Sequence, residues 1–226
     1  MSAREATLAR VRHALARTPE EQAAAEAAVR GRLEAHARNL VPARGQLERE
    51  ERVQLFAELA MAVAADVQRL ATLAEVPAAV SSYLRRHNLP QKLVLAPEPL
   101  LDRANWESQP LLRVRRGDAV DADAVGVTLA IAGVAETGTL VLASSPERPT
   151  LLAYLPETSV VVIAAEWIEA AYEDAWESVR GMPGGVPRSV NFVTGPSRTA
   201  DIAQQLELGA HGPKRLLILI VEHLDL

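Results

Sequence analysis

Apolar residues recur along this chain with two different periods, and the change falls near Pro90. Before it, the spacing is helical and the first 90 residues read as helix. Leu8, Val11 and Leu15 lie on one stripe of residues 4–17. Residues 20–38 are rich in Ala, Glu and Arg, which favour helix, but poor in large apolar side chains, so this segment buries little by itself. The V-P-A-R-G stretch at 41–45 interrupts the pattern and reads as a linker. Val53, Phe56, Leu59, Ala60, Val63 and Val67 then give residues 47–74 the core stripe of a long helix. Pro77 suits the first turn of a shorter helix that Asn88 closes.

After Pro90 the apolar runs shorten and become rich in Val and Ile. Strands are expected at 92–96, 111–114, 124–132, 138–143, 159–164, 190–194 and 215–223. The run at 159–164 has little alternation, as in a strand covered on both faces. Helices are expected at 166–180 and 197–206. The alternation predicts an α/β fold, with a mixed, largely parallel sheet flanked by helices and an N-terminal helical extension. The expected organisation is an arm at 1–45 followed by an α/β domain at 46–226. The 226 residues fit one domain with an extension, and no repeat of 20–50 residues is visible.

Composition narrows the function classes. There is no cysteine, so this chain has no disulfide, thiolate nucleophile or cysteine-ligated iron–sulfur cluster. The formal charge is −5, with no basic tail, which argues against nucleic-acid binding. Arg113, Arg115 and Arg116 read as a solvated strand end. No apolar run approaches the ~20 residues of a membrane span, and the Arg-rich N-terminus also carries Glu5, Glu20, Glu21 and Glu26, unlike a transit peptide. The expectation is a cytoplasmic protein without membrane insertion. The five histidines lack a metal-binding spacing.

Three segments carry candidate chemistry. In T-G-P-S-R-T-A-D-I at 194–202, a strand meets a Gly-Pro turn and an expected helix. The amides of a first helical turn favour an anion, Ser197 and Thr199 add hydroxyls, and Arg198 offers a bidentate fork to carboxylate or phosphate. A plain helix cap with a solvated Arg198 is the competing reading. Such a turn is expected beyond the carboxyl ends of the parallel strands. In A-E-T-G-T-L-V at 135–141, Glu136 reads as a general base beside Thr137, Gly138 and Thr139, or as an exposed residue of a hairpin turn. In G-A-H-G-P-K-R at 209–215, His211 reads as an acid–base or anion-binding group before a buried strand, or as a loop histidine after a Gly209 cap. Ser197, Asp201 and His211 do not make a hydrolase triad, because Ser197 and Asp201 stand four apart on one expected helix and no G-x-S-x-G elbow exists.

Together these motifs resemble the signature of the LUD-domain family, most closely its lactate-utilisation protein C branch. L-P at 155–156, L-A-R-V-R-H-A-L at 8–15 and V-P-A-R-G at 41–45 extend the resemblance over most of the chain. The resemblance implies the NagB/RpiA/CoA transferase-like fold. It also implies a role in oxidising L-lactate to pyruvate beside iron–sulfur partner proteins, with no cluster held by this chain and any organic cofactor unknown. It adds weight to Glu136 and His211 as catalytic candidates. The ligand-binding candidates for a small carboxylate or phosphate are Thr137, Gly138, Thr139, Thr194, Gly195, Ser197, Arg198, Thr199, Asp201 and Gly212. Assembly with identical copies stays open. The alternatives are a stand-alone isomerase, deaminase or CoA-transferase-like enzyme on a phosphorylated or CoA-linked substrate, and a ligand-sensing module without chemistry.

Overall fold

A computed structural model of the protein describes residues 2–15, 17–200 and 206–224. Its contacts divide the chain into two units, 1–40 and 41–226. The first unit holds helices α1 (Ala3–Leu15) and α2 (Pro19–Ala35), neither with a buried residue. Thr18 starts α2 with a capping box. Its hydroxyl accepts from the Glu21 amide at 3.2 Å, and the Glu21 carboxylate accepts from the Thr18 amide at 2.8 Å.

The second unit opens with a short 3₁₀ turn, Ala43–Gly45, and helix α3 (Arg49–Ala62). Here the expected helix at 47–74 is corrected. The helix ends at Ala62, Ala64 adopts a left-handed φ of 69°, and β1 (Asp66–Thr72) follows as a strand. Val63 and Val67 fit a helical stripe, and Arg69 and Ala71 favour helix, so the local signal was ambiguous. Pairing settles it: β1 runs parallel to β12 (Arg215–His223), from Asp66↔Leu217 to Thr72↔His223.

Between them come α4 (Val76–Arg86), β2 (Lys92–Leu95), α5 (Pro99–Asp102), β3 (Arg113–Arg116), β4 (Val125–Leu129) and β5 (Ala132–Val134). β6 (Thr139–Ala143), α6 (Leu151–Tyr154), β7 (Thr158–Ala164), β8 (Ile168–Glu169) and α7 (Tyr172–Arg180) come next. The last before β12 are β9 (Val190–Val193), β10 (Arg198–Ala200) and β11 (Leu206–Leu208). The main sheet has six parallel strands in the order β1-β12-β7-β4-β2-β3. Every residue of β7 is buried, as its apolar run predicts. Val160, Val162, Leu217 and Leu219 face one core with Val80, Tyr83 and Leu84 of α4. Val161, Ile163, Leu216 and Ile218 face the other, with Phe56 of α3 and Leu140 of β6.

A second sheet, ordered β8-β5-β6-β9, covers that other core. The expected strand at 124–132 is therefore two strands, with β4 in the first sheet and β5 in the second. β5 and β6 form the expected hairpin. The expected helix at 166–180 is also shorter: Ala165–Trp167 is a 3₁₀ turn, β8 pairs with β5, and only Tyr172–Arg180 is helical. Its Ala175 and Val179 pack on Val134 and Val141.

The expected helix at 197–206 is a further correction. Arg198–Ala200 and Leu206–Leu208 pair as antiparallel strands, Arg198↔Leu208 to Ala200↔Leu206. The backbone amide of Ser197 donates to the Pro213 carbonyl at 2.9 Å, and the Gly209 amide donates to the Ser197 carbonyl at 3.0 Å. The segment finds its backbone partners in a neighbouring stretch of chain, so no helix N-terminus forms at Ser197.

Candidate functional site

The turn between β5 and β6 carries Glu136, Thr137 and Gly138. Gly138 has φ +64°, and a β-carbon there would meet the Ala60 amide nitrogen at 2.4 Å. Its permissive backbone thus serves the close approach of α3 rather than a ligand. Glu136 is buried, at 3% exposure. Its Oε1 accepts from the Tyr172 amide at 3.3 Å, while Oε2 has no hydrogen-bond partner and lies 3.9 Å from Arg44 Nε. The 43–45 turn lies over this carboxylate: a β-carbon on Gly45 would stand 3.2 Å from the Glu136 β-carbon.

The neighbouring threonines point into a hydroxyl cluster. Thr137 Oγ1 and Thr139 Oγ1 are 2.7 Å apart, and each is 3.1 Å from the Tyr172 phenol. Thr139, fully buried, also shares a 2.7 Å hydrogen bond with Thr194 Oγ1. The 135–141 motif thereby supports the start of the 194–202 motif from behind.

That second motif opens onto a cavity of about 460 Å³. Thr194, Gly195, Ser197, Arg198, His211 and Gly212 line it. Gly195, at φ +76°, brings the turn against Val63, whose carbonyl oxygen a β-carbon would meet at 2.6 Å. The two Ser197 backbone hydrogen bonds tie the segment at 194–198 to the one at 209–213. Arg198 and His211 are both exposed. Ser159, Val161 and Leu216 form the floor with Leu142, Ala153 and Tyr154. Burial pushes the Tyr154 phenol up from its ordinary value, so it stays protonated near neutral pH.

The position of the cavity corrects the expected one. Ser159 and Leu216 are second residues of β7 and β12, so the cavity lies over the amino ends of these parallel strands. From the second sheet, residues near the carboxyl ends of β9 (Val193) and β6 (Leu142) line it. Candidate residues divide accordingly. Thr194, Gly195, Ser197, Arg198, His211 and Gly212 meet in the cavity. Glu136, Thr137, Gly138 and Thr139 do not line it, so the expected pair Glu136 and His211 does not share one site. Asp201 and the side chain of Thr199 lie outside the described residues. Tyr154, Ser159 and Tyr172 carry no sequence signal that marks them; the fold alone brings them in. Among the described residues, no group of three or more acidic or histidine side chains is placed to hold a metal, and no helix is long and apolar enough to cross a membrane.

The LUD domain family model matches residues 53–221. Lactate utilization protein C of Geobacillus kaustophilus is 32% identical over 115 residues, covering 50% of this chain and 48% of that protein. Its namesake from an Exiguobacterium species is 34% identical over 125 residues, 53% of this chain and 52% of that one. An uncharacterized protein of Neisseria meningitidis serogroup B is 38% identical over 96 residues, 42% of this chain and 41% of that protein. The aligned region thus spans about half the length of these curated relatives. A crystal structure of a DUF162 family protein from Deinococcus radiodurans shares the fold, with TM-score 0.57 and 21% identity over 77% of this chain and 99% of that one. With its parallel six-stranded core and a match running from α3 to β12, the chain belongs to the LUD domain family, and its relatives point to the lactate utilization protein C branch.

Proposed function

We propose that the chain is the cluster-free subunit of a cytoplasmic lactate-utilisation system that oxidises L-lactate to pyruvate, and that its cavity binds a small anion. The observation that carries the second part is the meeting of Arg198 and His211 on the rim of one cavity. A guanidinium grips a carboxylate through two parallel hydrogen bonds, and an imidazole adds a donor beside it. The names of the relatives support the first part.

Oxidation of lactate releases two electrons and two protons. This chain has no cysteine to hold a cluster, so in this reading the electrons leave through iron–sulfur partner proteins or an organic cofactor. The role left to this chain is to bind and orient. The alternative of a stand-alone isomerase, deaminase or CoA transferase draws less support, because its base, Glu136, does not line the cavity.

The test is anaerobic lactate-dependent dye reduction by the iron–sulfur partners, with and without this chain. Activity is expected to require the chain, to fall about tenfold or more with Arg198→Ala through loss of the charge-assisted pair, and to survive in Glu136→Gln. Full activity without the chain would overturn the subunit reading. An unimpaired Arg198→Ala would overturn the anion site.

A further inference from the structure

The hydroxyl cluster behind the cavity allows its protons to be followed one by one. Thr137, Thr139 and Tyr172 form a closed triangle, and Thr139 also meets Thr194 at 2.7 Å. Each hydroxyl has a single proton, so the four protons of the cluster serve its four hydrogen bonds. Geometry fixes the direction of one bond: the Thr137 hydroxyl donates to the Tyr172 phenol. With that proton committed, the Thr137–Thr139 bond must take its proton from Thr139. The Thr139–Tyr172 bond then takes the phenol proton, and the Thr139–Thr194 bond takes the Thr194 proton. Thr139, fully buried, accepts from Tyr172 and Thr194 and donates to Thr137.

The consequence falls on the cavity. Thr194 lines it, but its proton is turned into the cluster, so towards a ligand its oxygen can only accept. Arg198, by contrast, can only donate. The Tyr154 and Ser159 hydroxyls of the lining have no hydrogen-bond partner among the described residues, so they turn to suit either kind of group. We propose that Thr194 is the specificity-determining residue of the anion site, selecting an anion that carries its own hydroxyl, a hydroxy acid, over the matching oxo acid. The carboxylate meets Arg198, and the ligand hydroxyl donates to Thr194 Oγ1. An oxo acid sets a carbonyl oxygen against an oxygen with no proton to give, and that contact goes unmade. This assignment rests on the reading of the cavity as the anion site and specifies its ligand. In lactate oxidation the contact exists with the substrate and is lost with the product, because the reaction removes the hydroxyl proton.

Calorimetric titration of the full chain with L-lactate, pyruvate and propionate tests it. Lactate is expected to bind about tenfold tighter than either other acid, the effect of one hydrogen bond. Thr194→Val, which keeps the shape and removes the acceptor, brings lactate down to propionate and leaves propionate unchanged. Thr139→Val frees the Thr194 proton to face the cavity and lets pyruvate bind as well as lactate; Thr139→Ser restores the preference. Arg198→Ala weakens all three acids and keeps their order. Thermal melting checks that each variant is folded, and if Thr139→Val is not, the exposed Thr194→Val decides alone. Pyruvate binding as tight as lactate in wild type, with both dependent on Arg198, would overturn this proposal and leave the anion site standing. A lactate preference that survives Thr194→Val, or a folded Thr139→Val, would also overturn it, since the hydroxyl is then recognised elsewhere. Silence from all three acids would remove both the proposal and the anion site.

Discussion

Gly45 has no space for a side chain. A β-carbon there would stand 2.1 Å from the carbonyl oxygen of Ala170, a backbone atom that cannot swing away. Gly45→Ala must therefore lift the 43–45 turn off Glu136 or strain the β8–α7 connection. A loss of about 2 kcal/mol or more is expected, on the scale of overpacking in a tight interior. In urea the midpoint should fall at an unchanged slope. An unmoved midpoint would mean the turn yields freely. The sequence presents this glycine as part of a linker, since its neighbours Pro42 and Arg44 are ordinary loop residues. Only the carbonyl opposite makes it obligatory. Glu136 gives the same lesson. A carboxylate in a turn between two strands reads as exposed or catalytic, and its burial comes from a stretch some 90 residues away in sequence.

At the level of elements, the β8–α7 join half-buries a second carboxylate. Glu169 takes a 3.4 Å hydrogen bond from the Ser178 hydroxyl. Desolvation is the largest influence on it and raises its pKa above the ordinary carboxylate value, with Arg52 opposing. The folded state therefore holds this proton more tightly than the unfolded chain. The stability it contributes is full below the unfolded value of about 4.3 and is lost as pH rises through the raised folded value. Glu169→Gln should stabilise the protein at pH 7 relative to wild type, with the advantage shrinking in acid towards pH 4. Chemical denaturation at both pH values measures this. An advantage that grows in acid would contradict the desolvation account. The same scale explains the error at residues 197–206. The Gly-Pro-Ser start looks like a helix entrance, but the backbone of Ser197 is claimed by Pro213 and Gly209, and a strand pair forms instead.

For the whole molecule, the two units differ in what they bury. Neither α1 nor α2 has a buried residue, although Leu8, Val11, Leu15 and Leu33 are large and apolar. The second unit has continuous cores on both faces of its parallel sheet. Removal of residues 1–40 is thus expected to move the melting temperature by less than about 4 °C, equivalent to roughly 1 kcal/mol for a domain of this size. A larger drop would show that the arm covers apolar surface of the folded unit.

The sequence by itself determined the class of fold, the buried strands β7 and β12, the β5–β6 hairpin and the motifs that name the family. These are local properties: a continuous Val/Ile run, a Gly-containing turn, a string of particular residues. Tertiary structure alone decided that β1 is a strand and that the Ser197 segment is not a helix, because both outcomes depend on which distant backbone supplies hydrogen-bond partners. It also decided which motif residues meet. Thr194, Arg198 and His211 converge because the backbone of Ser197 is hydrogen-bonded to Gly209 and Pro213, while Glu136 turns under Gly45. Convergence is a property of packing, and no spacing along the chain encodes it.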